Sequence, residues 1–447
     1  MLSDWPWMRP TQLLLTELIQ QQDEGKELGD CEALCKELAA CSGKPEAEQA
    51  AQSLLTFWNS LPVKEGYPYQ EPSVLWEIQS LRPDNRSQDR PSLPPEEQLR
   101  ERLTGAFSGR IAGCLLGKPV EGWMRKDLLD LEKRSGNYPL SHYFRSSDFP
   151  PDLLEKYSNR CWADRLDGAA PSDDDTNYTL LGLLLMEQKG WNFTSEDVLE
   201  CWLSRLPLAA VCTAERVAYR NGVNGLLPPE TATTCNPYRE WIGAQIRADF
   251  FGYACPGQPE KAAALAFRDA SISHVKNGIY GEMWVAAMLA EAAVTHDIFQ
   301  VLEAGLGQIP SSCRLQEDIR RVTSWKREGI SLEEATLRIH QQWKETNGHH
   351  WCHTNSNAMI VVMALLWGDM DFGKTICAAV QAGFDTDCNG ATAGSILGMM
   401  LGKNGIPAQW TEPFPQGLSS DITGSSLTPI ETLVQRTLAV IQSGKKG

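Results

Sequence analysis

Two ladders of glycine constrain this chain more than any other feature. Gly105, Gly109, Gly113 and Gly117 recur every fourth residue in TGAFSGRIAGCLLG, and Gly390, Gly394, Gly398 and Gly402 do the same in NGATAGSILGMMLG. Residues four apart share one face of a helix. Each interior glycine costs roughly 0.5–1 kcal/mol relative to alanine, so helix formation alone does not account for two such stripes. Close approach of another backbone does, and the two smooth faces are expected to pack against each other. Acidic residues sit where the ladders end. Asp385 and Asp387 precede the second ladder, Glu121 follows the first in GKPVEG, and Asp173-Asp174-Asp175 opens PSDDDTNYTLLGLLLME. We expect the ladders to help gather these carboxylates into one metal site.

The rest of the chain reads as helix after helix. Apolar residues at helical spacing predict helices within 1–59, and then at 96–116, 177–188, 195–205, 213–220, 259–273, 281–295, 331–345, 356–367, 372–382, 391–401 and 430–441, while alternating strand patterns are nearly absent. Pro62, Pro68, Pro72, Pro83, Pro91, Pro94 and Pro95 rule out long regular elements between the first helices and Glu96. The expected organisation is an all-α protein with a helical N-terminal extension and proline-rich connector over 1–95, and a main domain over 96–447.

The formal net charge of −16 argues against non-specific binding to nucleic acid. The apolar run Met359 to Trp367 is too short to span a bilayer, and MLSDWPWMRP lacks the basic-then-apolar layout of a signal peptide. Thirteen cysteines without a CxxC pair read as reduced thiols. A cytoplasmic protein with no membrane and no nucleic-acid partner is expected.

Each acidic stretch also has a plainer reading. One aspartate suffices to cap a helix, but three adjacent carboxylates repel one another unless protonated or bridged by a cation, so capping and metal binding both stand for Asp173-Asp174-Asp175. Asp385 to Gly390 matches the opening of a calcium-binding EF-hand loop, yet Ile396 occupies the twelfth position where a bidentate glutamate is needed. That reading is rejected, and a hard cation held by oxygens is retained. His349, His350 and His353 in NGHHWCHTNSNA lack a second ligand cluster for zinc, so a polar loop lining the pocket, with Asn355 and Asn357 just before the Met359 to Trp367 run, is preferred. Trp123 is either a packing residue or a surface on which a substrate base stacks. No GxGxxG, Walker or GxSxG motif is present.

Taken in order, GCLLGKPVEG, DDDTNYT and GFDTDCNGATAGSILG resemble the ADP-ribosylglycohydrolase superfamily, which includes the dinitrogenase-reductase-activating glycohydrolases and lens crystallin relatives. The resemblance covers roughly residues 99–445. It implies an orthogonal all-α bundle and one or two Mg2+ or Mn2+ ions. The implied ligands are Asp173, Asp174, Asp175, Asp385, Asp387 and Cys388, with Glu121 and Asp387 as catalytic carboxylates. Asp173 stands where the family has a hydroxyl residue, and Cys388 where it has threonine. Gly243 and Arg247 match part of a phosphate-side loop in which Trp241 and Ile242 depart from the pattern, and His274 matches a histidine near the ligand. The implied activity is hydrolysis of an N- or O-glycosidic bond to ribose in an ADP-ribosylated protein or a small ribosyl compound. The alternative is a non-catalytic, crystallin-like or ligand-binding protein on the same fold.

Overall fold

The computed structural model describes residues 9–84, 92–156 and 162–444. The first eight residues, Pro91 and Cys161 lie outside it. Among the described residues 22 α-helices dominate, and the three short strands, Ala169–Ala170, Gly417–Ser419 and Leu427–Thr428, form one small sheet in chain order. The first pair is parallel and the second antiparallel. The fold is all-α.

At its centre helix Glu96–Gly117 runs antiparallel to helix Thr386–Leu401, and the two ladders meet. A Cβ built on Gly105 would lie 2.2 Å from the Gly398 carbonyl oxygen; on Gly109, 2.1 Å from that of Gly394; on Gly113, 1.9 Å from that of Gly390. At the far end a Cβ on Gly117 would lie 2.3 Å from the Thr386 carbonyl and 2.4 Å from the Asp387 amide nitrogen. Each step of four along one helix thus matches a step of four back along the other. No side chain fits between them, which explains every ladder glycine but Gly402; that one lies past the helix end, where a Cβ would come no closer than 3.6 Å to Glu101, and its φ of 71° is what calls for glycine. The register places Asp385 and Asp387 beside the turn that follows Gly117.

Around this pair pack helices whose burial follows their composition. Lys276–Ala292 is mostly apolar and buried from Asn277 to Ala292, as expected for a helix inside a core. Thr354–Trp367 is likewise buried up to Leu366. Several helices open on cues visible in the sequence. Pro45 and Pro259 occupy the first helical position, where the missing N–H costs nothing. Thr194 and Asp197 form a reciprocal capping box at Ser195–Arg205.

Helices Pro10–Asp23, Glu32–Ala40 and Pro45–Ser60 share a small apolar core of Leu13, Leu14, Leu18, Cys35, Ala51, Leu55 and Trp58, which also takes in Cys235. Buried ion pairs join these helices to the rest: Arg239 reaches Glu17 at 2.8 Å and Glu24 at 2.6 Å, and Gln20 donates to Glu240 at 2.7 Å. Within the proline-rich connector the short helix Leu75–Ser80 inserts Ile78 into the main core.

Candidate metal centre

The three acidic stretches converge. Ligand atoms of Glu121, Asp385 and Asp387 lie within 4.8 Å of one another, as do those of Asp175, Asp387 and Cys388, and those of Cys114, Asp173 and Asp175. Asp387 belongs to two of these groups and Asp175 to two, so they form a continuous chain of donors. All but Glu121 are buried. Glu121 leaves the 3-10 turn Lys118–Val120 partly exposed.

The capping and metal readings divide within the aspartate triplet. Asp173 is the N-cap of helix Asp174–Lys189, its Oδ1 accepting from the Asp175 amide at 3.0 Å. Its Oδ2 bonds to the Lys118 ammonium. Asp175 is fully buried and held by Arg110, whose guanidinium donates to Asp175 Oδ1 at 3.0 Å and to the Asp175 carbonyl at 2.7 Å, while pairing with Asp249 at 2.8 Å. The second oxygen of Asp175, Oδ2, has no protein partner. At the other end Thr386 donates to the Gly117 carbonyl at 2.9 Å, tying the Asp385–Asp387 turn to the end of the first glycine helix. Asn357 Oδ1 accepts from the Asp385 amide at 3.3 Å and from Asn389 at 2.8 Å.

Electrostatics disfavour this pocket when bare. Burial, and then Asp173, Asp175 and Asp387, push the Asp174 carboxyl well above the usual carboxylate range. Burial also lifts Asp175 well above it, despite Arg110. Asp385 is raised well above it by burial and by Asp387 and Glu121, and Asp387 is raised by burial and Asp173 against the pull of Lys118. Asp173 is the exception: burial opposes its charge, but the Lys118 ammonium outweighs burial and holds it low. Carboxylates that resist ionisation together ionise readily around a divalent cation. An unpartnered, fully buried oxygen on Asp175 fits such an ion.

The family model for ADP-ribosylglycohydrolases matches residues 95–445. The chain belongs to the ADP-ribosylglycohydrolase family. It is therefore a glycosidase, a hydrolase acting on a glycosidic bond. Comparison with curated protein sequences returned no match. A solved structure described as an ADP-ribosylglycohydrolase-related protein complex is 18% identical, with 77% of this chain and 99% of that chain covered and a TM-score of 0.44.

The other candidate site residues, Gly243, Arg247 and His274 from the family resemblance and Asn355 and Trp123 from the sequence itself, sit in different surroundings. Arg247 is 1% exposed and caged by carboxylates: Glu215 at 2.8 Å, Glu282 at 3.4 Å, and Asp269 closest of all. Its guanidinium lies over the rings of Trp202 and Tyr178. Gly243 belongs to the same unit, because a Cβ there would lie 2.0 Å from Glu215 Oε1. His274 is buried, pairs through Nδ1 with Ser273 at 2.8 Å, and lines a cavity of about 540 Å3 between the N-terminal helices and the main body. Burial lowers its pKa well below the usual imidazole value. Asn355 is turned to Asp318, donating at 2.9 Å, whereas Asn357 two residues on touches the Asp385 turn. Trp123 packs edge-on against Phe149 and lines a groove of about 610 Å3 beside Glu121, with Asp127, Asp130, Lys133 and Arg134.

The histidine cluster also gains a partner. Asp23 of the N-terminal helices joins His349 and His353 within 4.8 Å. His349 Nδ1 accepts from the Trp241 indole at 3.0 Å, and His353 Nδ1 accepts from the Asn355 amide at 3.0 Å. A neutral imidazole that accepts at Nδ1 carries its proton at Nε2. His349 therefore donates Nε2–H to Asp23 at 3.0 Å, and neither ring presents a free lone pair to a metal. The cluster is a clasp for the first helix.

Lys118, Arg110 and Cys114 are not singled out by the sequence. For Arg110 the signal was present: an arginine inside a glycine-striped, otherwise apolar helix has to be buried with a counter-charge. For Lys118 nothing in the spacing distinguishes it.

Proposed function

We propose that this chain is a metal-dependent hydrolase that cleaves the N- or O-glycosidic bond to ribose in an ADP-ribosylated protein or a related ribosyl compound. The observation that carries the reading is the convergence of Glu121, Asp385 and Asp387 with Asp173 and Asp175 in one continuous chain of donors, buried apart from Glu121, with the Asp174 carboxyl near enough to feel their charge. Asp174, Asp175, Asp385 and Asp387 would hold Mg2+ or Mn2+, one or two ions, with Asp173 and Cys388 alongside. A divalent cation held there supplies Lewis-acid attraction for sugar hydroxyls and water, and balances the charge of a phosphate-bearing substrate.

The chain's own groups provide the rest. Cleavage at ribose passes through an oxocarbenium-like state, and carboxylates around the sugar favour positive charge developing on its ring. Glu121 is half-buried and leaves the turn after the first glycine helix, and it serves to orient or deprotonate the attacking water. Asp387, shared between two donor groups, positions that water against the sugar. Trp123 and its groove receive the part of the substrate beyond the ribose. The main domain over 96–447 carries this chemistry, and the extension over 1–95 braces it through the Asp23 clasp and the Arg239 ion pairs. The twelve described cysteines are free thiols, which fits a reducing, cytoplasmic setting.

Ribose release from an ADP-ribosylated protein, measured with Mg2+ or Mn2+ and again after EDTA, tests the reading. Loss of release on chelation, and in Asp387→Asn and Glu121→Gln, is expected. Turnover unaffected by EDTA and by Asp387→Asn would remove it.

A further inference from the structure

We propose that the Lys118 ammonium fills the charge-balancing place of one ion, so that this chain binds a single divalent cation per site. The inference rests on the metal reading above. Lys118 follows the glycine helix directly, in the turn that leads to Glu121. Its ammonium bonds to Asp173 Oδ2 inside the acidic chain, with side chains only 18% and 3% exposed. Both oxygens of Asp173 are then engaged, Oδ1 by the Asp175 amide and Oδ2 by Lys118. A hydroxyl at this position would be a neutral donor to a metal. A carboxylate paired with a resident lysine is a closed ion pair, and a dication placed beside it meets a fixed positive charge.

The acidic chain is unequal along its length. At one end, Cys114, Asp173 and Asp175 are accompanied by Lys118, whose ammonium pairs with Asp173 Oδ2. At the other end, Asp385, Asp387 and Cys388 form no ion pair with a basic side chain among the described residues. The fully buried Asp175 Oδ2, unpartnered, lies between the two. The geometry therefore leaves one place where no basic side chain pairs with the donors a divalent cation would meet, and one where the positive charge is supplied by the polypeptide. Lys118 acts as a positioning residue in this arrangement: it fixes Asp173 at the helix start and sets the number of ions.

The test is the stoichiometry of Mn2+ on the full chain stripped by chelation, measured by calorimetry and by paramagnetic resonance of the bound ion. Wild type is expected to bind one equivalent with the spectrum of an isolated Mn2+. Lys118→Met is expected to bind two, with the broadening of a coupled pair, because two-ion sites place their metals roughly 3.5–4 Å apart. Lys118→Arg is expected to keep one. Lys118→Gln, which retains a donor to Asp173, gives the same reading as Lys118→Met should the latter not fold. Two equivalents in wild type, or one in both neutral variants, would overturn the proposal. No binding at all in wild type would instead sink the metal-dependent reading on which it stands.

Discussion

Gly109→Ala is the sharpest perturbation of the central helix pair, because local and tertiary preferences pull in opposite directions. In an isolated helix the change stabilises by roughly 0.5–1 kcal/mol, from better propensity and a less flexible unfolded chain. Here the new methyl would stand 2.1 Å from the Gly394 carbonyl oxygen, 2.8 Å from its carbon and 3.2 Å from Phe372. Ordinary van der Waals contact begins near 3.4 Å, so the helices have to separate by roughly 1 Å at a point where both are fully buried. The opposing atoms are helix backbone and cannot rotate away as a side chain would. Overpacking costs typically about 1–3 kcal/mol when side chains yield; against an unyielding backbone the upper end applies, leaving a net loss of about 2 kcal/mol. In a domain of this size that corresponds to a fall in Tm of about 2–3 °C. Gly348→Ala is the control, since a Cβ there meets nothing within 4 Å at the first residue of helix Gly348–Cys352. It is expected to match or exceed wild type. Scanning fluorimetry of the three proteins decides the matter, and a Gly109→Ala protein as stable as the control would refute the backbone-contact explanation of the ladders.

Three further outcomes are expected. Gly117→Ala presses on the Thr386 carbonyl and the Asp387 amide, so kcat/KM should fall by about 100-fold, the scale of a 1 Å misplacement, with a Tm loss no larger than that of Gly109→Ala; equal activity would detach Asp387 from the reaction. Arg247→Met strands the buried carboxylates of Glu215, Asp269 and Glu282, which should cost about 3–5 kcal/mol and appear as lost soluble yield or Tm; a stable variant with only a raised KM would return Arg247 to the ligand. Burial raises the Glu132 carboxyl to about 7 against its bond from Gln381. The stability this group allows is therefore fully present below about pH 4.5, where it is protonated in both states, and is lost as pH rises through 7. Glu132→Gln should match wild type at pH 4.5 and exceed it by on the order of 2 kcal/mol at pH 8, read from urea unfolding at the two pH values; a gap that does not change with pH would refute this.

Much of this fold is legible because burial here leaves a mark at fixed spacing. The ladders predict their own contact, and helices such as Ser195–Arg205 carry apolar residues and caps that coincide with their observed ends. Charge-rich Arg314–Arg327 does not stand out as a helix in the sequence, although Leu315, Ile319 and Val322 form its buried stripe; arginine and glutamate between them mask the period. The second glycine helix begins at Thr386, five residues before the expected start, since Asp387 and Asn389 look like loop residues until the metal pocket accounts for them. Asn355 and Asn357 differ by a little over half a helical turn, and only the true helix start at Thr354 says which one faces Asp385. The cage around Arg247 was not legible, because Glu215, Asp269 and Glu282 come from three distant segments with no shared spacing. Lys118 was likewise invisible: a lysine in a turn is ordinarily solvated, and only the folded position of Asp173 makes it internal.

Where two helices touch along bare backbone, mutation has no room to compensate. A cavity in an ordinary core can be refilled from the facing side, but no residue is smaller than glycine, so damage on one ladder cannot be repaired by a substitution on the other. Suppressors of a ladder mutation should therefore map to outer helices that let one partner shift as a rigid body. The same stiffness frees the surrounding loops: grooves such as the one beside Trp123 can change length and charge, and so change substrate, while the acidic ends of the two helices stay in register.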